Sequence, residues 1–155
     1  VIQYVEGDVT EPVATGEIIV AHVCNDEGRW GAGVSGAIGR RWPAAEGGFR
    51  AWSRTSDATL GAVQFVRVAD RITVANMIAQ RGIRRPKDVA LAPIRYDALA
   101  ECLGRVGHEA LTNRAAVAAP RFGCGLAGGD WTIIEPMINQ ILIANGVAVT
   151  IYDFK

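Results

Sequence analysis

Glu17-Ile18-Ile19-Val20-Ala21-His22-Val23 runs into Gly28-Arg29-Trp30-Gly31-Ala32-Gly33-Val34-Ser35-Gly36, and that stretch leads to Ala37-Ile38-Gly39-Arg40-Arg41. The first segment is almost continuously apolar, which suits a strand buried on both faces. Glycines then turn the chain, and Val34 to Arg41 is predicted to be helical. A strand, a glycine loop and a helix in this order indicate an α/β architecture. Ligands in such sheets bind beyond the carboxyl ends of the strands, where loops enter helices.

A second stretch repeats the pattern. Ala115 to Ala119 reads as a short buried strand ending at Pro120. The loop Pro120-Arg121-Phe122-Gly123-Cys124-Gly125-Leu126-Ala127-Gly128-Gly129-Asp130-Trp131 follows it, and a helix predicted from Thr132 to Ala144 comes next, with Asp130 as its N-cap. Glycines let backbone N–H groups approach an anion, and the following helix adds its positive end. Two such loops side by side match a pyrophosphate better than a single phosphate. Gly31, Gly33 and Gly36 also satisfy G-x-G-x-x-G. That match is a weak dinucleotide signal here, since no acidic residue ends a second strand about 20 residues on.

Around these loops, Ile2 to Val5 and Val147 to Phe154 read as strands. Pro43 opens a second helix, and Val63 to Val68 with Ile72 to Ile78 flank Asp70-Arg71 as an antiparallel hairpin. Gln80 to Lys87 is polar and loop-like, and Ala92 to Leu111 has apolar residues at helical spacing. The resulting order implies one domain over residues 1–155, with a mixed sheet and helices on both faces.

Of the 155 residues, 16 are Lys or Arg and 16 are Asp or Glu, so the formal net charge is zero. That balance opposes a broad nucleic-acid footprint or a polybasic membrane surface. No apolar run reaches the roughly 18 residues of a membrane span. The first residues lack a signal-peptide pattern, so a cytoplasmic location is expected. Cys24, Cys102 and Cys124 are too few and too far apart for a disulfide framework. With His22 and His108 they form no metal-binding spacing, and no metal is expected. Only Lys87 and Lys155 are lysines, which restricts lysine-based chemistry.

Several residues admit two roles. Asp8, in Gly7-Asp8-Val9-Thr10, could accept from the exocyclic amine of a base or cap a turn. Cys124 could be a nucleophile with an oxyanion hole, although no base lies near it in sequence. A tight Gly-Cys-Gly turn is the simpler account. His22 reads as a satisfied core histidine. Asn25 is a loop amide able to hold a sugar hydroxyl or a water. Tyr152 and Phe154 could cover a base, with core packing the default for at least one.

Taken together, Gly7-Asp8-Val9-Thr10, Ala21-His22, Arg29-Trp30-Gly31-Ala32-Gly33-Val34, Pro120-Arg121-Phe122-Gly123-Cys124-Gly125-Leu126 and Val149-Thr150-Ile151-Tyr152 resemble the macrodomain family over nearly the whole chain. The Ala-His strand and the Gly-Cys-Gly-Leu loop are most similar to the branch of terminal ADP-ribose protein glycohydrolase. The resemblance implies a three-layer α/β/α fold with a central mixed sheet and an ADP-ribose cleft needing no cofactor. By position, Asp8 would take the adenine amine with the Val9 backbone beside it, and Phe154 would pack near the adenine. Gly31, Ala32, Gly33, Val34 and Ser35 from the first loop would grip the pyrophosphate and distal ribose. Arg121, Phe122, Gly123, Cys124, Gly125, Leu126 and Ala127 would do so from the second, with Asn25 near the distal ribose.

The glycohydrolase has a lysine where Asn76-Met77-Ile78-Ala79-Gln80 ends in glutamine. It also has an aspartate where this chain has Ala127. A covalent lysine intermediate is therefore not expected. The expected activity is removal of mono-ADP-ribose from acidic side chains of modified proteins by water, assisted by the substrate, with Asn25 and Gln80 as the catalytic polar groups. The alternatives are an ADP-ribose reader without catalysis, an ADP-ribose 1″-phosphate phosphatase or an O-acetyl-ADP-ribose deacetylase. The expected partners are ADP-ribose and mono-ADP-ribosylated proteins. ADP-ribosylated DNA stays open through the basic Arg81, Arg84, Arg85 and Lys87.

Overall fold

The structure, a computed structural model, describes residues 1–83, 93–124 and 128–154. The elements are β1 (Gln3–Glu6), β2 (Ile18–Asn25), α1 (Gly33–Arg41), α2 (Pro43–Trp52), β3 (Val63–Ala69), β4 (Ile72–Gln80), α3 (Tyr96–Asn113), β5 (Ala116–Ala119), α4 (Trp131–Ile141), a 3-10 turn (Ile143–Asn145) and β6 (Val149–Asp153). The strands form one six-stranded sheet in the order β1-β6-β5-β2-β4-β3 among the described residues. Among the strand pairs of the described residues, β3–β4 is antiparallel and the others are parallel, so the sheet is mixed.

Alternation along the strands divides the core into two layers. Ile19, Ala21, Val117, Ala119 and Ile151 face α3 and α4, where Leu99, Leu103, Val106, Ile134 and Ile138 complete one apolar cluster. Ile18, Val20, Val74 and Tyr152 face the other way and pack with Ile38, Trp42 and Ala45 of α1 and α2. The architecture is the expected three-layer α/β/α sandwich. Its central strand, β2, is apolar on both faces because a helical layer covers each one.

Several boundaries differ from the sequence reading. The helix expected from Ala92 starts at Tyr96: Ile94 is an antiparallel bridge partner of Gln80, and Arg95 is extended, so neither joins the helix. Ala92 lies outside the described residues. The helix expected to reach Ala144 stops at Ile141, where a 3-10 turn takes over and Gly146, at φ 89°, redirects the chain. The last strand begins at Val149, not Val147, and the second strand runs on to Asn25.

Candidate functional site

The parallel register places His22 beside Asn76 and carries β2 and β4 to adjacent ends at Asn25 and Gln80, with an irregularity between Cys24 and Asn25. The two ends are tied together. Asp26 N–H donates to Gln80 O at 2.9 Å, Gly82 N–H donates to Asp26 Oδ1 at 2.8 Å, and Gln80 Nε2 donates to Gly82 O at 2.9 Å. Asn25 is buried, and its amide bonds to its own loop. Nδ2 donates to Arg29 O at 2.7 Å, and Oδ1 accepts from the N–H groups of Glu27 and Arg29 at 3.0 and 3.1 Å. These bonds hold the loop in shape at the residue where the sequence suggests an amide for a sugar hydroxyl or a water.

Beyond that loop, the chain enters α1 through Ala32, which provides no side-chain cap. The first N–H groups of a helix lack intrahelical partners, and its N-terminus is positive. No acidic residue neutralises the first turn, while Arg40 and Arg41 occupy the last. Gly31 to Val34 are exposed and Ser35 is half-buried, and all five line a cleft of about 380 Å³. His22, Val23, Cys24, Asn25, Arg29, Trp30, Gln80 and Ile83 also line it, as do Pro120 to Gly123. The cleft is thus an anion-receptive pocket at the carboxyl edge of the central strands.

In the described part of the second loop, two N–H groups are already taken. Phe122 N–H donates to Pro120 O at 2.7 Å and Cys124 N–H to Arg121 O at 3.4 Å, so neither is free for an anion. The Phe122 ring is buried edge-on against Trp131, and only its backbone remains for the cleft. Gly125, Leu126 and Ala127 lie outside the described residues, as do Arg84, Arg85 and Lys87. Arg121 is already engaged. Its Nε and an Nη donate to Asp153 at 2.7 and 3.1 Å, and its guanidinium lies over the rings of Tyr4 and Trp131 at 5.0 and 5.4 Å. The Arg121 guanidinium holds the Asp153 carboxyl below its ordinary value.

Asp8, Val9, Cys124 and Phe154 are not among the residues lining this cleft. Asp8 Oδ1 caps its own turn by accepting from the N–H and Oγ1 of Thr10 at 2.9 and 2.7 Å. Oδ2 takes no part in that cap. The Val9 side chain and Tyr152 are core residues, whereas Phe154 is 77% exposed at the mouth of β6. Burial pushes the Cys124 thiol up, away from the thiolate a nucleophile needs. Asp130 caps α4 by accepting from Thr132, as expected.

His22 is 1% exposed and bonded through both ring nitrogens, to Asn76 Oδ1 at 2.5 Å and to Ser35 Oγ at 2.9 Å. Trp30 meets it edge-on at 5.1 Å. Burial lowers the imidazole pKa to about 4. The sequence identified a satisfied core histidine but not its partners, because Asn76 is 54 positions away and is brought alongside only by strand pairing.

No family model matches the chain. It is 46% identical to a solved macrodomain protein from Streptomyces coelicolor, with a TM-score of 0.85, covering 98% of both chains. It is 32% identical over 163 residues to Chromodomain-helicase-DNA-binding protein 1-like of Danio rerio, a match that takes in 99% of this chain but only 16% of that protein's length. The Thermosipho africanus DarTG structure in complex with ADP-ribose shares the fold at a TM-score of 0.70 and 15% identity, covering 88% of this chain and 38% of that one. No described helix is long and apolar enough to cross a membrane.

Proposed function

This chain belongs to the macrodomain family, and on that premise we propose that it binds ADP-ribose and hydrolyses mono-ADP-ribose from the acidic side chains of modified proteins. The observation carrying this reading is the uncapped, acid-free first turn of α1, which opens into the cleft beside the ends of β2 and β4. Consecutive backbone N–H groups there suit a diphosphate in a chain of zero net charge.

An elongated ligand could extend from this cleft toward Asp8 and Phe154. Asp8 follows β1, which lies three strand spacings from β2, or roughly 14 Å across the sheet. A base held by the free Oδ2 of Asp8 and covered by Phe154 would leave the diphosphate on α1. The distal ribose would then lie among Ser35, Gln80 and the Asn25 loop. The proposed reaction is attack of water at C1″ of that ribose. The C1″–O bond to the carboxylate breaks, the carboxylic acid leaves, and free ADP-ribose is formed. The bond is an activated ester, so placement of the water supplies much of the acceleration, and fixed N–H dipoles supply electrostatic stabilisation. Gln80, whose Nε2 is committed to Gly82 O, presents Oε1 as an acceptor for that water. Asn25 holds the loop.

A second reading is favoured by the chain's Gln80 and Ala127, which replace the lysine and aspartate of terminal ADP-ribose protein glycohydrolase. In that reading the protein recognises ADP-ribose without cleaving it. The two are separated with a protein mono-ADP-ribosylated on glutamate, following release of free ADP-ribose, with Gly31→Glu as control. A Cβ at Gly31 would make only ordinary contact with Ser35, at 3.7 Å, so the variant places a carboxylate at the helix N-terminus without strain. Release by the wild type and not by Gly31→Glu supports the hydrolase. Binding without release makes the chain a reader.

A further inference from the structure

A one-way chain of hydrogen bonds runs from the cleft into the core, and its direction is set by backbone carbonyls. Gln64 Nε2 donates to Gly48 O at 2.9 Å, which turns Gln64 Oε1 toward Asn76. Asn76 Nδ2 donates to that oxygen at 3.1 Å and to Ala45 O at 3.3 Å. Asn76 Oδ1 is then an acceptor facing His22, so His22 Nε2 carries the proton of this 2.5 Å bond. A neutral imidazole has one N–H. Its Nδ1 is therefore a lone pair, and Ser35 Oγ, 2.9 Å away, donates to it. The strands assemble this line directly, because Gln64, Asn76 and His22 are register partners across β3, β4 and β2.

The Ser35 hydroxyl has one proton, and His22 takes it. Toward the cleft, which Ser35 lines, only lone pairs remain. Burial keeps the imidazole neutral at pH 7 and preserves this polarity. A Ser-His-Asn line also has the outline of a nucleophile, a base and an orienting group. The base would have to become an imidazolium at a fully buried position, which the same burial opposes. Ser35 is thus an oriented acceptor.

We propose that Ser35 is the specificity-determining residue for the sugar end of the ligand, accepting a hydrogen bond from a distal-ribose hydroxyl and rejecting a phosphate oxygen at that point. The proposal rests on the ADP-ribose reading above. Two acceptors cannot share a hydrogen bond, so phosphate oxygens are directed to the N–H groups of α1, one turn or less away. The distal ribose is assigned because Ser35 lies with the β2 and β4 ends, at the far side of the sheet from Asp8.

The test titrates ADP-ribose and ADP, which lacks the distal ribose, into wild type, Ser35→Ala and Ser35→Thr, with thermal melts as a folding check. Loss of one neutral hydrogen bond predicts that Ser35→Ala weakens ADP-ribose about five- to tenfold and ADP less than about twofold, with threonine restoring most of the loss. Equal losses for both ligands would mean that Ser35 serves the diphosphate and would overturn the proposal, as would no loss for either. Imidazole nitrogen NMR gives an independent reading: a proton on Nε2 of His22 is expected, and a proton on Nδ1 overturns the proposal whatever the affinities. A wild type that binds neither ligand overturns the ADP-ribose reading itself, and this proposal with it.

Discussion

Gly123 faces Ile94 so closely that a β-carbon on the glycine would stand 3.0 Å from Ile94 Cδ1 and 3.4 Å from Ile134 Cδ1. Its φ of 78° lies in the left-handed region that side chains disfavour. The direction a side chain would take from Gly123 is therefore already filled by Ile94 and Ile134. Gly123→Ala is expected to cost about 2–4 kcal/mol through backbone strain and overpacking. In a chain of this size, that lowers the melting temperature by roughly 5–12 °C. Gly31→Glu should instead abolish ADP-ribose binding with little change in melting. Scanning calorimetry and a ligand titration on both variants check the contrast.

His22 makes stability depend on pH in one direction. Its folded pKa is about 4 against an ordinary 6.5, so the unfolded chain binds the proton more readily. Its contribution is fully present above pH 6.5 and is lost as the pH falls toward 4. The lost stability is on the order of 3 kcal/mol. Urea unfolding from pH 7.5 to 4 should show this slope in the wild type. His22→Gln should lack it, while being less stable at neutral pH. Equal slopes in both proteins would remove His22 as the source.

The Arg121–Asp153 pair joins the loop after β5 to the end of β6, and both side chains are more than a third exposed. Solvent screening limits its contribution to at most about 1 kcal/mol. Asp153 is held below its ordinary 3.8, so its share is present above that value and disappears as the pH falls through the folded pKa. Asp153→Asn should cost little stability but should loosen the position of Phe154, one residue on. If Phe154 covers a base, ADP-ribose affinity falls more than melting temperature does. Parallel titration and melting curves compare the two.

The three cysteines should separate by reactivity. Cys24 and Cys102 are buried with their thiols pushed up, Cys102 to about 12, whereas Cys124 is only half-buried. A disulfide reagent at pH 8 is expected to titrate Cys124 in the native protein and the other two only after unfolding. Fast reaction of all three without denaturant would contradict the described packing.

Much of the fold was legible because local patterns and tertiary packing agree. The apolar run from Ile18 to Val23 needs cover on both faces, and the helical spacing of Leu99, Cys102, Leu103 and Val106 supplies one covering face. Element ends were less legible. Ile94 and Arg95 fit a helical pattern, yet a bridge to Gln80 extends the chain there. For the site, the glycine loop and the helix that follows it were visible, and both line the cleft. The sequence could not show that Phe122 and Cys124 spend their N–H groups inside the second loop, because that depends on turn geometry, not residue type.

The sequence alone carried the α/β class, the two strand–loop–helix units and the zero net charge. Its order of motifs also resembled the family that the Streptomyces coelicolor structure then showed. Tertiary structure decided the polarity of the site. His22, Ser35, Gln64 and Asn76 are spread over a separation of 54 positions, and only strand register and the packing of α1 on β2 align them. A hydroxyl's role as donor or acceptor is fixed by its neighbours in space. No spacing along the chain encodes it.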